Sequence, residues 1–309
     1  MEKTAQSILE ILPERAARAY AAADYELKRN VFEIRLRAES AVSISYMDKN
    51  KYLKEDGTLT EHEDEALRVS AAEIEECMLK MSNYSLYSIQ NQIKDGFITI
   101  KGGHRVGICG SAVLENGAVK SVKNITSLNF RIARDISGAA LKIYNLVFRE
   151  NIESAIIAGK PSCGKTTVLR DLARCFSKSG KRVGVVDERG ELAACFEGIP
   201  QNKLGGLTDV LNGYPKAHGI TQAVRSLSPQ VLICDEIGDR EDMLSLEQSF
   251  KFGVPVVATL HASGMADIRG RAFIRELIKT GYVKNIILLA GPEKIGQIDE
   301  IISAGDLIA

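Results

Sequence analysis

Two textures of apolar spacing divide this chain. In the first part, apolar and polar residues alternate in short runs: Phe32, Ile34, Leu36, then Val42, Ile44, Tyr46. Period-two alternation predicts a hairpin of half-buried strands. Ahead of it, residues 4–24 carry helical spacing through Ile8, Leu9, Ile11 and Leu12, with Pro13 marking a break or a second helix start. Ser70 followed by Glu73 is a capping box and predicts a helix through SAAEIEECMLKMSNYSLYS. The acidic stretch LTEHEDEAL reads as a solvated loop or helix start. Asn116-Gly117, between residues 112–115 and 118–122, is a two-residue hairpin signal. Glycines 102, 103, 107 and 110 read as turn and bulge glycines, or else as a nucleotide-edge or subunit contact.

Beyond about residue 138 the apolar runs lengthen and alternate with amphipathic ones. Strands are expected at 154–158, 182–187, 230–235, 254–260 and 284–289. Helices are expected near 165–177, 218–227, 239–251 and 265–280, and DISGAALKI, from about Asp135, is expected to open one more. Strand–helix alternation implies a central, mostly parallel sheet with helices on its faces. The expected organisation is an α+β domain over 1–137 and an α/β domain over 138–309.

Bulk properties change this picture little. The chain has 309 residues, 45% apolar and 26% charged, with 40 Lys+Arg against 40 Asp+Glu. That balance gives no global attraction to nucleic acid or anionic lipid. Six cysteines without a CxxC pair, and four histidines, disfavour a structural zinc site. Cys234, within an apolar strand, reads as a small core residue. The N-terminus lacks a secretory h-region, and no apolar run nears the ~20 residues of a membrane span. A reduced, cytoplasmic chain that meets membranes through a partner is expected.

The chemistry lies at the strand ends. Gly159-Lys160-Pro161-Ser162-Cys163-Gly164-Lys165-Thr166, followed by Thr167, fits G-x-x-x-x-G-K-[ST] between an apolar strand and an amphipathic helix. Small residues let backbone N–H groups converge on phosphate oxygens, and the helix start adds its dipole. Lys165 supplies a point charge to β/γ-phosphates, and the Thr166 hydroxyl is placed for Mg²⁺. VLICDEIGD ends a buried strand in Asp235, expected to hold the Mg²⁺ water shell, and Glu236, expected to polarise the attacking water. VGVVDERGEL brings Asp187 and Glu188 to a second strand end, as helpers for water or metal or as turn acids. VPVVATLHA brings His261 to a third, as a γ-phosphate sensor or a structural residue. In a parallel sheet these ends open on one crevice.

In that order, GKPSCGKT, VVDERGEL, LICDEIGD and ATLHA resemble the phosphate loop, Asp box, Mg²⁺-binding strand and His box of the secretion-type traffic ATPases, over about residues 154–275. That family usually has Gly-Glu ahead of an apolar residue, Arg and Asp, where this chain has Asp235-Glu236-Ile237-Gly238-Asp239-Arg240. AVRSLSPQ looks like the family's arginine-containing helix end, which singles out Arg225. EIRLR, GFITIKGGHRVGICG and SLNFRIAR look like signatures of a sporulation branch. The resemblance implies a RecA-like P-loop ATPase working as a homo-hexamer with ATP and Mg²⁺. It further implies recruitment to the mother-cell side of the forespore membrane by a polytopic platform protein, at a channel-like complex. Arg131 and Arg134, then Arg105, are candidates to reach a neighbour's γ-phosphate. The competing expectations are a nucleotide-gated scaffold with little turnover and a nucleic-acid translocase; balanced charge and the lack of basic runs disfavour the latter.

Overall fold

The computed structural model describes residues 2–47, 49–85, 89–94 and 96–308, without the side chains of 2–5, 91, 248 and 308. The chain divides into two compact units, Met1–Arg134 and Asp135–Ala309.

The first unit opens with helices α1 (Glu2–Leu9), α2 (Glu14–Ala22) and α3 (Tyr25–Asn30), the break between the first two falling at Pro13. Strands β1 (Val31–Arg37), β2 (Ser40–Ala41), β3 (Ser43–Tyr46), β4 (Lys49–Leu53), β5 (Leu59–Thr60) and β6 (Arg68–Val69) follow. Helices α4 (Ala71–Met81) and α5 (Gln90–Lys94) precede β7 (Phe97–Ile100), β8 (His104–Glu115) and β9 (Ala118–Arg131). The larger sheet runs β5-β4-β3-β1-β9-β8-β7 with antiparallel neighbours. Ile34, Leu36 and Ile44 point to its core, as their alternation predicts. Asn116 (φ 53°) and Gly117 (φ 79°) both turn left-handed at the β8–β9 hairpin, as a two-residue turn matched to strand twist requires.

Two expectations in this unit are corrected. The helix opened by Ser70 ends at Met81, because Asn83 and Tyr84 take positive φ and leave the helical region; Leu86, Tyr87 and Ser88 lie outside the described residues. The acidic stretch is short strand β5 followed by one 3₁₀ turn at Glu63–Glu65.

The second unit contains α6 (Leu141–Ile143) running into a π-turn at Tyr144–Phe148, then β10 (Ser154–Gly159), α7 (Lys165–Lys178), β11 (Val183–Asp187) and β12 (Thr208–Asn212). It continues through α8 (Lys216–Leu227), β13 (Val231–Glu236), α9 (Arg240–Lys251), β14 (Val256–His261), α10 (Met265–Gly270) and α11 (Ala272–Lys279). It closes with β15 (Val283–Leu289), β16 (Ile298–Ser303) and α12 (Ala304–Ile308). The sheet order is β12-β11-β13-β14-β10-β15-β16, parallel except for the last pair. Successive residues of its central strands feed opposite cores. Ala155, Ile157, Ile233 and Val257 pack with Leu169, Leu172 and Phe176 of α7; Ile156, Ala158, Leu232 and Ala258 pack with α8, α9 and α11. Burial on both faces explains why these strands read as continuous apolar runs.

Helix formation from Asp135 is also corrected: the helix starts at Leu141. Arg174, buried on α7, holds the preceding segment out of a helix. Its guanidinium pairs with Asp135 and Asp171 and donates to Ser137 Oγ (2.9 Å) and Ile136 O (3.1 Å). Strands β12 and β16 were not foreseen; half-exposed edge strands carry weaker apolar patterns. The 265–280 helix is two helices, parted at Gly270-Arg271.

The Ser70 box is complete, with its hydroxyl accepting from Glu73 N and the Glu73 carboxylate accepting from Ser70 N at 2.8 Å. Ser70→Ala should therefore cost about 1 kcal/mol, measured by urea unfolding; an unchanged midpoint would deny the cap its role.

Candidate functional site at the carboxyl edge of the parallel sheet

The phosphate loop is built around two glycines. A Cβ on Gly159 would sit 2.6 Å from Cys163 Sγ, so the buried cysteine and the small residue require one another. Gly164 stands at φ 95°, and a Cβ there would meet Ile295 Cγ2 at 2.9 Å and Gly296 N at 3.0 Å. Ser162 also takes a left-handed φ of 62°. The loop is clamped from the side by Gly296 N donating to Cys163 O at 2.8 Å.

Lys165, the first residue of α7, is buried. Its ammonium donates to Gly159 O and Lys160 O, both at 2.8 Å, and lies 3.0 Å from His261 Nδ1. An ammonium can only donate, so Nδ1 accepts and the ring proton sits on Nε2. Burial lowers the lysine pKa against opposing pulls from Cys163 and Glu236. His261 Nε2 stands 3.5 Å from Glu236 Oε2, which also accepts from Arg189 at 3.2 Å. The chain of contacts thus runs Lys165, His261, Glu236, Arg189.

Lys165, Thr166, Thr167, Pro161, Ser162, Gly164, Asp235, Glu236 and His261 line one cleft of about 450 Å³ with Arg189, Ile136 and Ile295. Asp235 Oδ2 is buried and without a hydrogen-bond partner, one of two such side-chain atoms among the described residues. A carboxylate oxygen buried in that way is costly unless a cation or donor meets it. Together with the Thr166 hydroxyl on the same cleft, it is a fitting donor set for Mg²⁺, which takes oxygen ligands and keeps several waters.

Some expected residues stand elsewhere. Glu188 is exposed and does not line the cleft, because Asp187 turns the chain there. Asp187 itself is buried and faces no crevice: its carboxylate accepts from the N–H groups of Glu191, Leu192 and Ala193 at 2.8, 3.0 and 2.7 Å. Of the two readings of that pair, Asp187 is the turn acid. Arg225 is exposed in the last turn of α8, away from the cleft. In the first unit, Arg134 donates to Val31 O and stacks on Phe32, Arg105 stacks on Phe97, and Arg131 pairs with Glu33 at 3.0 Å while remaining 65% exposed.

Two functional neighbours went unread in the sequence. Arg189 sat in view within DERGEL. Lys216 carried no signal: it starts α8, is 6% exposed, and spends its ammonium on Asp242 (2.9 Å), Glu236 O and Asp235 (3.7 Å).

Burial, foremost, raises the Asp235 carboxyl to about 6; Asp187 adds to the rise and Lys216 opposes it. A carboxyl raised above its unfolded value stabilises the fold while protonated, below about pH 4, and that contribution is lost as pH climbs through the raised value. Asp235→Asn, neutral throughout, should stabilise the nucleotide-free chain at pH 8 by on the order of 1–3 kcal/mol and match wild type near pH 4. Thermal unfolding across that range checks it; a pH-independent difference would refute the cause.

Comparison with known proteins identifies the family and the fold. The family described as "Sporulation stage III, protein AA" matches residues 1–306. Stage III sporulation protein AA of Bacillus subtilis (strain 168) is 36% identical over 300 residues, 94% of each chain. Among solved structures, the Legionella pneumophila ATPase DotB aligns over 90% of this chain and 77% of its own, with TM-score 0.55 and 15% identity. The pilus retraction motor PilT with bound ADP aligns over 85% and 75%, with TM-score 0.52 and 12% identity. At those identities the likeness is one of fold: the RecA-like fold of secretion ATPases. Among the described residues no helix is long and apolar enough to cross a membrane.

Proposed function

Because the chain belongs to the sporulation stage III, protein AA family, we propose that it is an ATP-hydrolysing motor of a secretion-like complex. One observation carries the reading: residues far apart in sequence, Lys165, Thr166, Asp235, Glu236 and His261, converge on one cleft at a helix start. In this reading the loop 159–167 takes the triphosphate on its N–H groups and on the α7 dipole. Lys165 leaves its loop carbonyls to meet phosphate charge. Thr166 and Asp235 hold Mg²⁺, which when bound draws charge from the phosphate oxygens. Glu236 orients water and accepts its proton, and His261, joined to both Lys165 and Glu236, reports which of them is engaged.

The motor acts as a homo-oligomer, a hexamer by analogy with the traffic ATPases, recruited from the cytoplasm by a polytopic membrane partner on the mother-cell side. Of the arginines proposed to act across a subunit boundary, Arg131 has the most accessible guanidinium; Arg134 and Arg105 already spend a face on phenylalanine rings. Arg225 and Glu188, exposed and outside the cleft, are candidates only for such contacts between subunits.

Lys165→Ala should abolish measurable ATP binding in calorimetry, since phosphate charge loses its counter-charge; retained affinity would sink the site. Glu236→Gln should bind ATP but lower turnover by at least about a hundredfold, the size of a lost general base. Turnover that rises with protein concentration would support a ring; ATP binding with negligible wild-type turnover would favour the nucleotide-gated scaffold.

A further inference from the structure

The roles just assigned leave one cation in the cleft without a task. Arg189 joins a held backbone to an exposed, ion-paired side chain. Its loop is pinned by the three N–H bonds to the Asp187 carboxylate, and Gly213 N donates to Asp187 O at 2.9 Å. From that base the guanidinium, 64% exposed, crosses to Glu236 Oε2 at 3.2 Å. The same oxygen faces His261 Nε2 at 3.5 Å. A carboxylate oxygen engaged by two such neighbours has its lone pairs occupied and is held away from a water.

An exposed ion pair is weak, a few-fold in an equilibrium. A guanidinium on a phosphate forms stronger, forked, charge-assisted bonds. When an anionic phosphate enters the cleft that Arg189 lines, it therefore competes with Glu236 for the arginine.

Resting on the ATPase reading, we propose that Arg189 is a positioning and specificity-determining residue shared between Glu236 and the terminal phosphate of a nucleoside triphosphate. It restrains Glu236 in the nucleotide-free cleft and passes to the phosphate when a triphosphate binds, which frees the carboxylate to accept the proton of water. A diphosphate brings too little charge to that end of the cleft and leaves the pair closed.

A double-mutant cycle tests this on the full chain. Binding of a β,γ-imido ATP analogue and of ADP is measured by calorimetry for wild type, Arg189→Ala, Glu236→Gln and the double variant, with Arg189→Gln as a second neutral variant. Thermal melts confirm folding, which an exposed side chain should not disturb. Arg189→Ala should weaken the analogue about three- to tenfold and leave ADP within about twofold. Glu236→Gln should tighten the analogue more when Arg189 is present than when it is absent, because only then is a pair broken on binding.

The opposite order, a larger gain in the Arg189→Ala background, would mean that the arginine stays on Glu236 and only screens it, and would overturn the transfer. Equal weakening of the analogue and ADP would overturn the selectivity. A wild-type chain binding neither nucleotide would sink the ATPase reading and this proposal together, whereas wild-type binding with the wrong order sinks this proposal alone.

Discussion

The site depends on the register of three neighbouring parallel strands. Pairing of β10 with β14 sets Gly159 opposite His261, so the strand that launches the phosphate loop ends level with the imidazole. Pairing of β13 with β14 sets Ile233 opposite Val257 but Glu236 opposite Thr259, three steps against two. That extra residue is a bulge at Cys234-Asp235, closed by Ile237 N donating to Thr259 O at 2.8 Å. Bulges re-aim side chains, and here consecutive acids both reach the cleft. In a regular strand Asp235 and Glu236 would point to opposite faces.

Around this register the charges are held from two sides. Behind the cleft, Lys216 ties Asp235, the Glu236 carbonyl and Asp242 together, and Asp242 also accepts from Gly238 N at 2.7 Å. A buried ammonium with such partners is compensated. In front, Lys165, His261 and Arg189 gather about Glu236, while Asp235 Oδ2 is buried without a hydrogen-bond partner.

What the sequence made legible follows from how local each determinant is. The phosphate loop is contiguous, and its glycines answer to contacts within a few residues or to backbone φ; the buried strands announce themselves because both faces are apolar. The Ser70 box and the Asn116-Gly117 turn are likewise short-range devices. The failures are long-range. Nothing near Asp135 says that Arg174, 39 residues on, will hold that segment out of a helix. Asp187 looks like a cleft acid until its loop folds back and offers it three N–H groups. Lys216 is an ordinary helix-start lysine by composition, and its burial is decided by α9 and β13. The edge strands β12 and β16, half wet, lack the apolar signature that betrays their neighbours.

The clamp between Gly296 and Cys163 has a temporal side. Strand β10, which carries the phosphate loop, lies between β14 and β15, both made long after it, and the loop itself leans on residues 295 and 296. A chain emerging from the ribosome cannot assemble this nucleotide pocket until nearly all of it has been translated. Nascent fragments would thus present helix α7 without a formed cradle, and newly made protein would be mute toward nucleotide until its last strands dock.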